Sequence, residues 1–165
     1  MTFFALAPRP PRERDRQASL AVSGIDEDCA AEIGIHVRAA AQLFDTDIGL
    51  ATIVTARRMV VIAGLGFDRD AIDRDVSFCS HVVAQPGRPI CVLDAAADHR
   101  FAGNPLVMGD PRIRFYAGAA LLSPDGMAVG ALCAIDRSPR AAMSADQEAA
   151  LTDLAERFAR RLFAA

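Results

Sequence analysis

The feature that most constrains this chain is a pair of largely apolar runs joined by a four-residue turn. Ile113 to Leu122 and Met127 to Ile135 flank Ser123-Pro-Asp-Gly126. Pro124 fixes φ early in that turn and Gly126 tolerates positive φ late in it, so the two runs are expected to fold back as an antiparallel hairpin. Upstream, Ile48 to Thr55 and Met59 to Ala63 form a second pair around Thr55-Ala-Arg-Arg58, short enough for another hairpin. Pro89 to Leu93 adds one short strand. The segment from Gly64 to Asp75 carries alternating Asp and Arg and reads as a polar loop.

Helical periodicity is confined to the two ends. Arg12 to Val22 is one helix, closed near Gly24. A second starts at Asp26, a good N-cap, and carries a stripe of Ala30, Ile33, Val37, Ala40 and Phe44. The last helix is announced by Ser144 and Gln147 at capping-box spacing and bears Leu151, Leu154, Phe158 and Leu162 on one side. Ser77 caps a short helix to about Ala84, Asp94 caps another turn, and Asn104-Pro105 interrupts the chain. Long helices at the ends and strands between them imply an α+β domain. Its expected form is a central antiparallel sheet of five or six strands, with terminal helices on one face and short helices and loops over a pocket on the other. Residues 1–11, with Pro8, Pro10 and Pro11, are expected to be a flexible arm, and residues 12–165 a single domain.

Composition removes several functions. At 165 residues with 52% apolar content the chain builds a core without disulfides or metal. A net charge of -3 with mixed signs, and no basic stripe interleaved with aromatics, excludes a nucleic-acid partner. Cys29, Cys79, Cys91 and Cys133 form no C-x-x-C pair and have no His at zinc spacing, so no metal is expected. No apolar run reaches membrane-span length, and the opening residues lack a signal-peptide core. A cytoplasmic protein with reduced thiols is the expectation.

The stretch from Asp75 to Leu154 resembles a bacterial GAF domain. The resemblance rests on Val76-Ser-Phe-Cys-Ser-His81, Asp94-Ala95, Asp98-His-Arg-Phe101, Asn104-Pro-Leu-Val107, Ile113-Arg-Phe-Tyr-Ala-Gly118 and Gly130-Ala-Leu-Cys-Ala-Ile-Asp136. The set is similar to the subclass found in sensor histidine kinases and diguanylate cyclases. Arg57-Arg58-Met59 stands where relatives often have a Trp-containing strand. The resemblance implies a sensory or regulatory module, with a small molecule of unidentified chemistry as ligand and end helices that pair as a homodimer or with a signalling partner. It names no cofactor. The chain ends at Ala165 without an output domain, so a free-standing module or one signalling by association is expected.

The candidate pocket residues are Phe78, Cys79, His81, Asp94, Phe101, Asn104, Arg114, Tyr116 and Cys133. Cys79 and His81 are two apart on a helix and point to different sides, so they form no dyad. Cys79 reads first as core packing, His81 equally as a pocket polar group or a structural hydrogen-bonder. Cys79 and Cys133 form a redox pair only if both face the same side. Arg114 is either an anion anchor or the partner of Asp94 or Asp136. Tyr116 offers a ring and a hydroxyl. No catalytic residue is assigned. The alternative is a thiol-dependent reductase of free methionine sulfoxide, a branch of the same fold, using pocket cysteines.

Overall fold

A computed structural model of the chain describes residues 3–24 and 30–163. Asp26 and Cys29 lie outside the described residues, as do the side chains of Ala30 and Ala31. Among the described residues five helices, α1 (Glu13–Val22), α2 (Ala30–Phe44), α3 (Phe78–Ala84), α4 (Pro105–Met108) and α5 (Ala145–Leu162), accompany six strands. The strands are β1 (Ile48–Val54), β2 (Arg58–Leu65), β3 (Ala71–Asp73), β4 (Ile90–Val92), β5 (Phe115–Leu122) and β6 (Ala128–Asp136). They form one sheet in the order β3-β2-β1-β6-β5-β4, with every neighbouring pair antiparallel.

Both hairpins expected from sequence are present. β5 and β6 pair from Phe115–Asp136 to Leu122–Ala128, and Gly126 takes φ 85°, the left-handed conformation its turn requires. β1 pairs with β2 on one edge and β6 on the other, which makes it central and buries all seven residues. The polar segment after β2 is not wholly loop. Ala71–Asp73 adds β3 to the edge of the sheet, followed by a 3₁₀ turn at Arg74–Val76.

The sheet separates two cores by strand alternation. On one side Phe115, Ala117, Ala119 and Leu121 of β5 meet Ile33, Val37, Ala40 and Phe44 of α2 and Leu151, Phe158 and Leu162 of α5. Ser144 and Gln147 close the capping box that starts α5. On the other side Tyr116 of β5 and Cys133 of β6 meet Phe78, Cys79, Val82 and Val83 of α3 and the segment from Val92 to Ile113. α1 lies across one end of the sheet. Its buried Arg16 donates to the Val54 carbonyl, and Ser19 bonds Ser123 in the β5–β6 turn.

Residues 3–10, in the proline-bearing segment, lie against the loops at Asp75 and Arg100. They run as an extended strap. Ala5 N–H donates to the Arg100 carbonyl at 2.8 Å, Gly103 N–H to that of Phe3 at 2.9 Å, and Ala7 N–H to that of Asp75 at 3.0 Å. Arg9 adds an ion pair with Asp75, and Ala7 is buried. The prolines suit the strap because a ring nitrogen loses nothing where no hydrogen bond is called for.

Candidate functional site

The loop-side core is assembled by three local devices. Ser77 caps α3, accepting from Ser80 N–H, and so presents Phe78 and Cys79 to the sheet. Asp94 accepts from Ala96 N–H and closes a 3₁₀ turn at Ala95–Ala97. Asn104 accepts from Leu106 N–H to start α4 and donates to the Val76 carbonyl, which ties that loop to the start of α3.

Aromatic rings fill the space between. Phe78 stacks on Phe101 with centroids 4.1 Å apart, and Tyr116 tilts against Phe78 at 5.3 Å. His81 meets the edge of Phe101 at 4.8 Å. Gly118, two residues along β5 from Tyr116, leaves room for the tyrosine ring, because a Cβ there would overlap it. What remains open is a cavity of about 20 Å³ lined by Phe78, Cys79 and Tyr116 together with apolar side chains including Leu50, Met59 and Ile113. That is room for about one water molecule. Of its lining residues only Phe67, in the loop between β2 and β3, is partly exposed.

The structure therefore brings three of the nine sequence-derived site residues to the cavity wall and leaves six off it. Cys133 sits directly behind Cys79, with the two sulfurs 3.9 Å apart. Phe101 backs Phe78. His81 flanks Phe101 and lies near the Asp98–Arg100 ion pair, closed at 2.7 Å. Asp94 and Asn104 hold loops. Arg114 donates its backbone N–H to the Asp136 carbonyl at 2.9 Å, but its guanidinium is bonded to neither the Asp94 nor the Asp136 carboxylate. Its Nη1 donates to the carbonyls of Val107 and Ile113, and Asp136 is taken by Arg140. Surface grooves of about 440, 430 and 420 Å³ include none of the nine, although the second shares Phe67 with the cavity. Among the described residues no cluster of three or more His, Cys, Asp or Glu side chains could hold a metal ion, and no helix is long and apolar enough to cross a membrane.

The electrostatics are those of a dry site. Burial, and then the charge of Arg100, pushes His81 down to about 4, with Asp98 opposing, so the ring is neutral near pH 7. Tyr116 donates its hydroxyl to Cys79 Sγ at 3.2 Å, and burial, followed by the neighbouring Cys79, raises the phenol well above its ordinary value. Of the two facing thiols, Cys79 is the more acidic. The hydrogen bond from Cys133 favours its thiolate against the cost of burial, and Thr52 and Tyr116 add to that hydrogen bond. Burial holds Cys133 high. Ser80 Oγ is fully buried with no hydrogen-bond partner among the described residues, a cost of about 1–3 kcal/mol.

Sequence reasoning missed Phe67 and Met59 as cavity lining. Phe67 directly precedes the charged Asp68-Arg-Asp70, and its only signal was being the one aromatic side chain in that segment.

Comparison with known proteins places this arrangement. The sequence model of the GAF domain matches residues 33–162. The chain is 40% identical over 162 residues to a cyclic di-GMP phosphodiesterase of Pseudomonas aeruginosa, covering 98% of this chain but only 27% of that relative's length. The fold is similar to the GAF domain of an Acinetobacter phosphoenolpyruvate-protein phosphotransferase, with a TM-score of 0.65 at 16% identity, over 90% of this chain and 88% of that one. It is equally similar to the free methionine-R-sulfoxide reductase of Neisseria meningitidis, with a TM-score of 0.65 at 17% identity, over 98% and 96% of the two chains. With the matched segment running from α2 to the last residue of α5, the chain belongs to the GAF domain family.

Proposed function

We propose that this chain is a cytoplasmic regulatory module of cyclic di-GMP signalling, whose loop-side core receives a small molecule and whose α2–α5 layer passes the response to a second copy or a signalling partner. The observation that carries this reading is the 40% identity, along 98% of the chain, to a quarter-length portion of a cyclic di-GMP phosphodiesterase. The sheet supplies a physical route. Tyr116 faces the loop-side core while its neighbours Phe115 and Ala117 face α2 and α5, so a change at one wall is felt at the other.

Ligand sites commonly measure about 300–1,000 Å³. The present cavity is about 20 Å³, so occupancy requires Phe78, Tyr116 and Phe67 to move apart. The walls are apolar with a few polar atoms, which suits a molecule with an apolar body and one or two polar groups. The test is a thermal-shift survey of metabolites and nucleotides, cyclic di-GMP included, with light scattering at tens of micromolar. A true ligand at a hundred times its Kd adds about 2.7 kcal/mol of stability, and Tyr116→Ala removes that gain. A monomer stabilised by nothing in the survey sinks the proposal.

The regulatory reading carries no catalysis. Cys79 is 2% exposed and the space before it is far smaller than an amino acid, which counts against a methionine sulfoxide reductase. Thiol-dependent turnover of free methionine sulfoxide, lost in Cys79→Ser, would reverse that judgement.

A further inference from the structure

We propose that Cys79 and Cys133 form a hydroperoxide-reactive dithiol site whose oxidised form is a disulfide joining α3 to β6. This needs no ligand and stands apart from the small-molecule reading.

The geometry carries it. The two sulfurs lie 3.9 Å apart, one on the first turn of α3 and one at mid-strand in β6. A disulfide bond is about 2.05 Å, so each sulfur has to travel only about 1 Å. Both thiols are free and buried. The pair is also asymmetric. The Tyr116 hydroxyl donates to Cys79 Sγ at 3.2 Å, and with the neighbouring Cys133 thiol it favours the Cys79 thiolate, so Cys79 is the sulfur better able to carry negative charge. Cys133 then resolves the first product. The cavity of about 20 Å³ opens against Cys79, with part-exposed Phe67 as its outermost wall. That opening suits the smallest hydroperoxide, hydrogen peroxide, and excludes bulky ones.

The chemistry balances. The Cys79 sulfur attacks one peroxide oxygen. An S–O bond forms, the O–O bond breaks, and the departing oxygen takes the Cys79 proton and leaves as water. The Cys133 sulfur next attacks the Cys79 sulfur. An S–S bond forms, the S–O bond breaks, and the released hydroxide takes the Cys133 proton as a second water. Two thiols and one hydrogen peroxide become one disulfide and two waters. Return to the dithiol state uses an external dithiol reductant.

The experiment exposes the native chain to hydrogen peroxide, blocks remaining thiols with N-ethylmaleimide after denaturation, and maps the products by mass. Of four cysteines, two are expected to stay labelled, Cys29 and Cys91, with a crosslinked peptide pair holding Cys79 and Cys133. Tyr116 is the only tyrosine and the chain has no tryptophan, so its emission reads the event directly and should fall as the disulfide forms. Cys133→Ala should halt the reaction at a dimedone-reactive Cys79, and Phe67→Ala should speed oxidation several-fold. Four labelled cysteines after treatment, a crosslink through Cys29 or Cys91, or dimedone on Cys133 in Cys79→Ala would each overturn the proposal. An unchanged rate in Phe67→Ala would overturn the access route. The mapping uses the native chain, so a variant that fails to fold does not rescue the idea.

Discussion

Glu13 and Arg74 join two parts of the chain 61 residues apart, with Glu13 Oε2 accepting from Arg74 Nη2 at 3.0 Å. The same carboxylate accepts from Arg16, and both arginines are almost wholly buried. Arg74 continues to the Thr55 carbonyl and Arg16 to that of Val54, so Glu13 anchors α1 to the β1–β2 turn.

Replacing Glu13 by Gln leaves two buried guanidinium groups without their anion. Breaking a buried ion pair this way costs about 3–5 kcal/mol, and the partial exposure of Glu13 places the loss at the lower end. Burial raises the Glu13 carboxyl, but the hydrogen bonds from Arg74, Arg16 and Gln17 outweigh it and hold the group well below the usual carboxylate range. The unfolded chain therefore binds this proton first as pH falls. The stabilisation is complete above about pH 4.3 and declines below it. Urea unfolding from pH 7 to pH 3 should show this acid slope, with a shallower one in Glu13→Gln.

His81 acts over a different pH range. Its folded value of about 4 lies below the ordinary 6.5, so the unfolded state takes up the proton first. Stability from the neutral ring is present above about pH 6.5 and falls as pH drops towards 4, by about 3 kcal/mol in all. His81→Leu should flatten the stability profile across that window. An NMR titration should find the imidazole uncharged at pH 6.

Gly130 sits where β6 crosses β1. A Cβ there would overlap the Thr52 carbonyl oxygen, part of the backbone of the central strand. Because backbone cannot rotate aside, Gly130→Ala should cost about 3 kcal/mol or more, and insoluble expression is the extreme form of that outcome. Gly34→Ala has open space around it and should be neutral or slightly stabilising. Chemical denaturation of the two variants distinguishes the cases.

The strap makes its own prediction. Removing residues 1–10 deletes the backbone hydrogen bonds of Phe3, Ala5 and Ala7 to the domain, the one from Glu13 N–H to the Pro10 carbonyl, and the Arg9–Asp75 pair. At about 0.5–1.5 kcal/mol per hydrogen bond, less the ordering entropy, a net loss of about 1–2 kcal/mol is expected. Hydrogen exchange should rise at Gly103 before it rises in β5 or β6.

What was legible in the sequence was local. The turn at Ser123 to Gly126, the capping box at Ser144 and Gln147, and the apolar stripe of α5 are each encoded within a few residues. β3 was not, because Ala71–Asp73 has no apolar pattern and becomes a strand only when the edge of β2 offers it hydrogen bonds. Residues 1–11 were read as a flexible arm from their prolines, which say nothing of the Arg100 carbonyl that accepts from Ala5. In the site, the residue types were chosen from the family pattern, but which of them touch depends on ring volume. Phe78, Phe101 and Tyr116 together fill a space that sequence alone left open. Arg114 shows the same limit, since two backbone carbonyls claimed its guanidinium before any carboxylate did.

The strand order has a consequence for how the molecule is made. β1, fully buried and rich in β-branched residues, finds its second neighbour only in β6, so Ile48 waits for Ile135. A nascent chain that has emerged only as far as β5 presents β1 with one edge bare, a template for misassociation with its siblings. Closure of the sheet is thus a late, long-range step. Folding should be slow for the chain's size, and chaperone demand should concentrate in the interval before Asp136 leaves the ribosome.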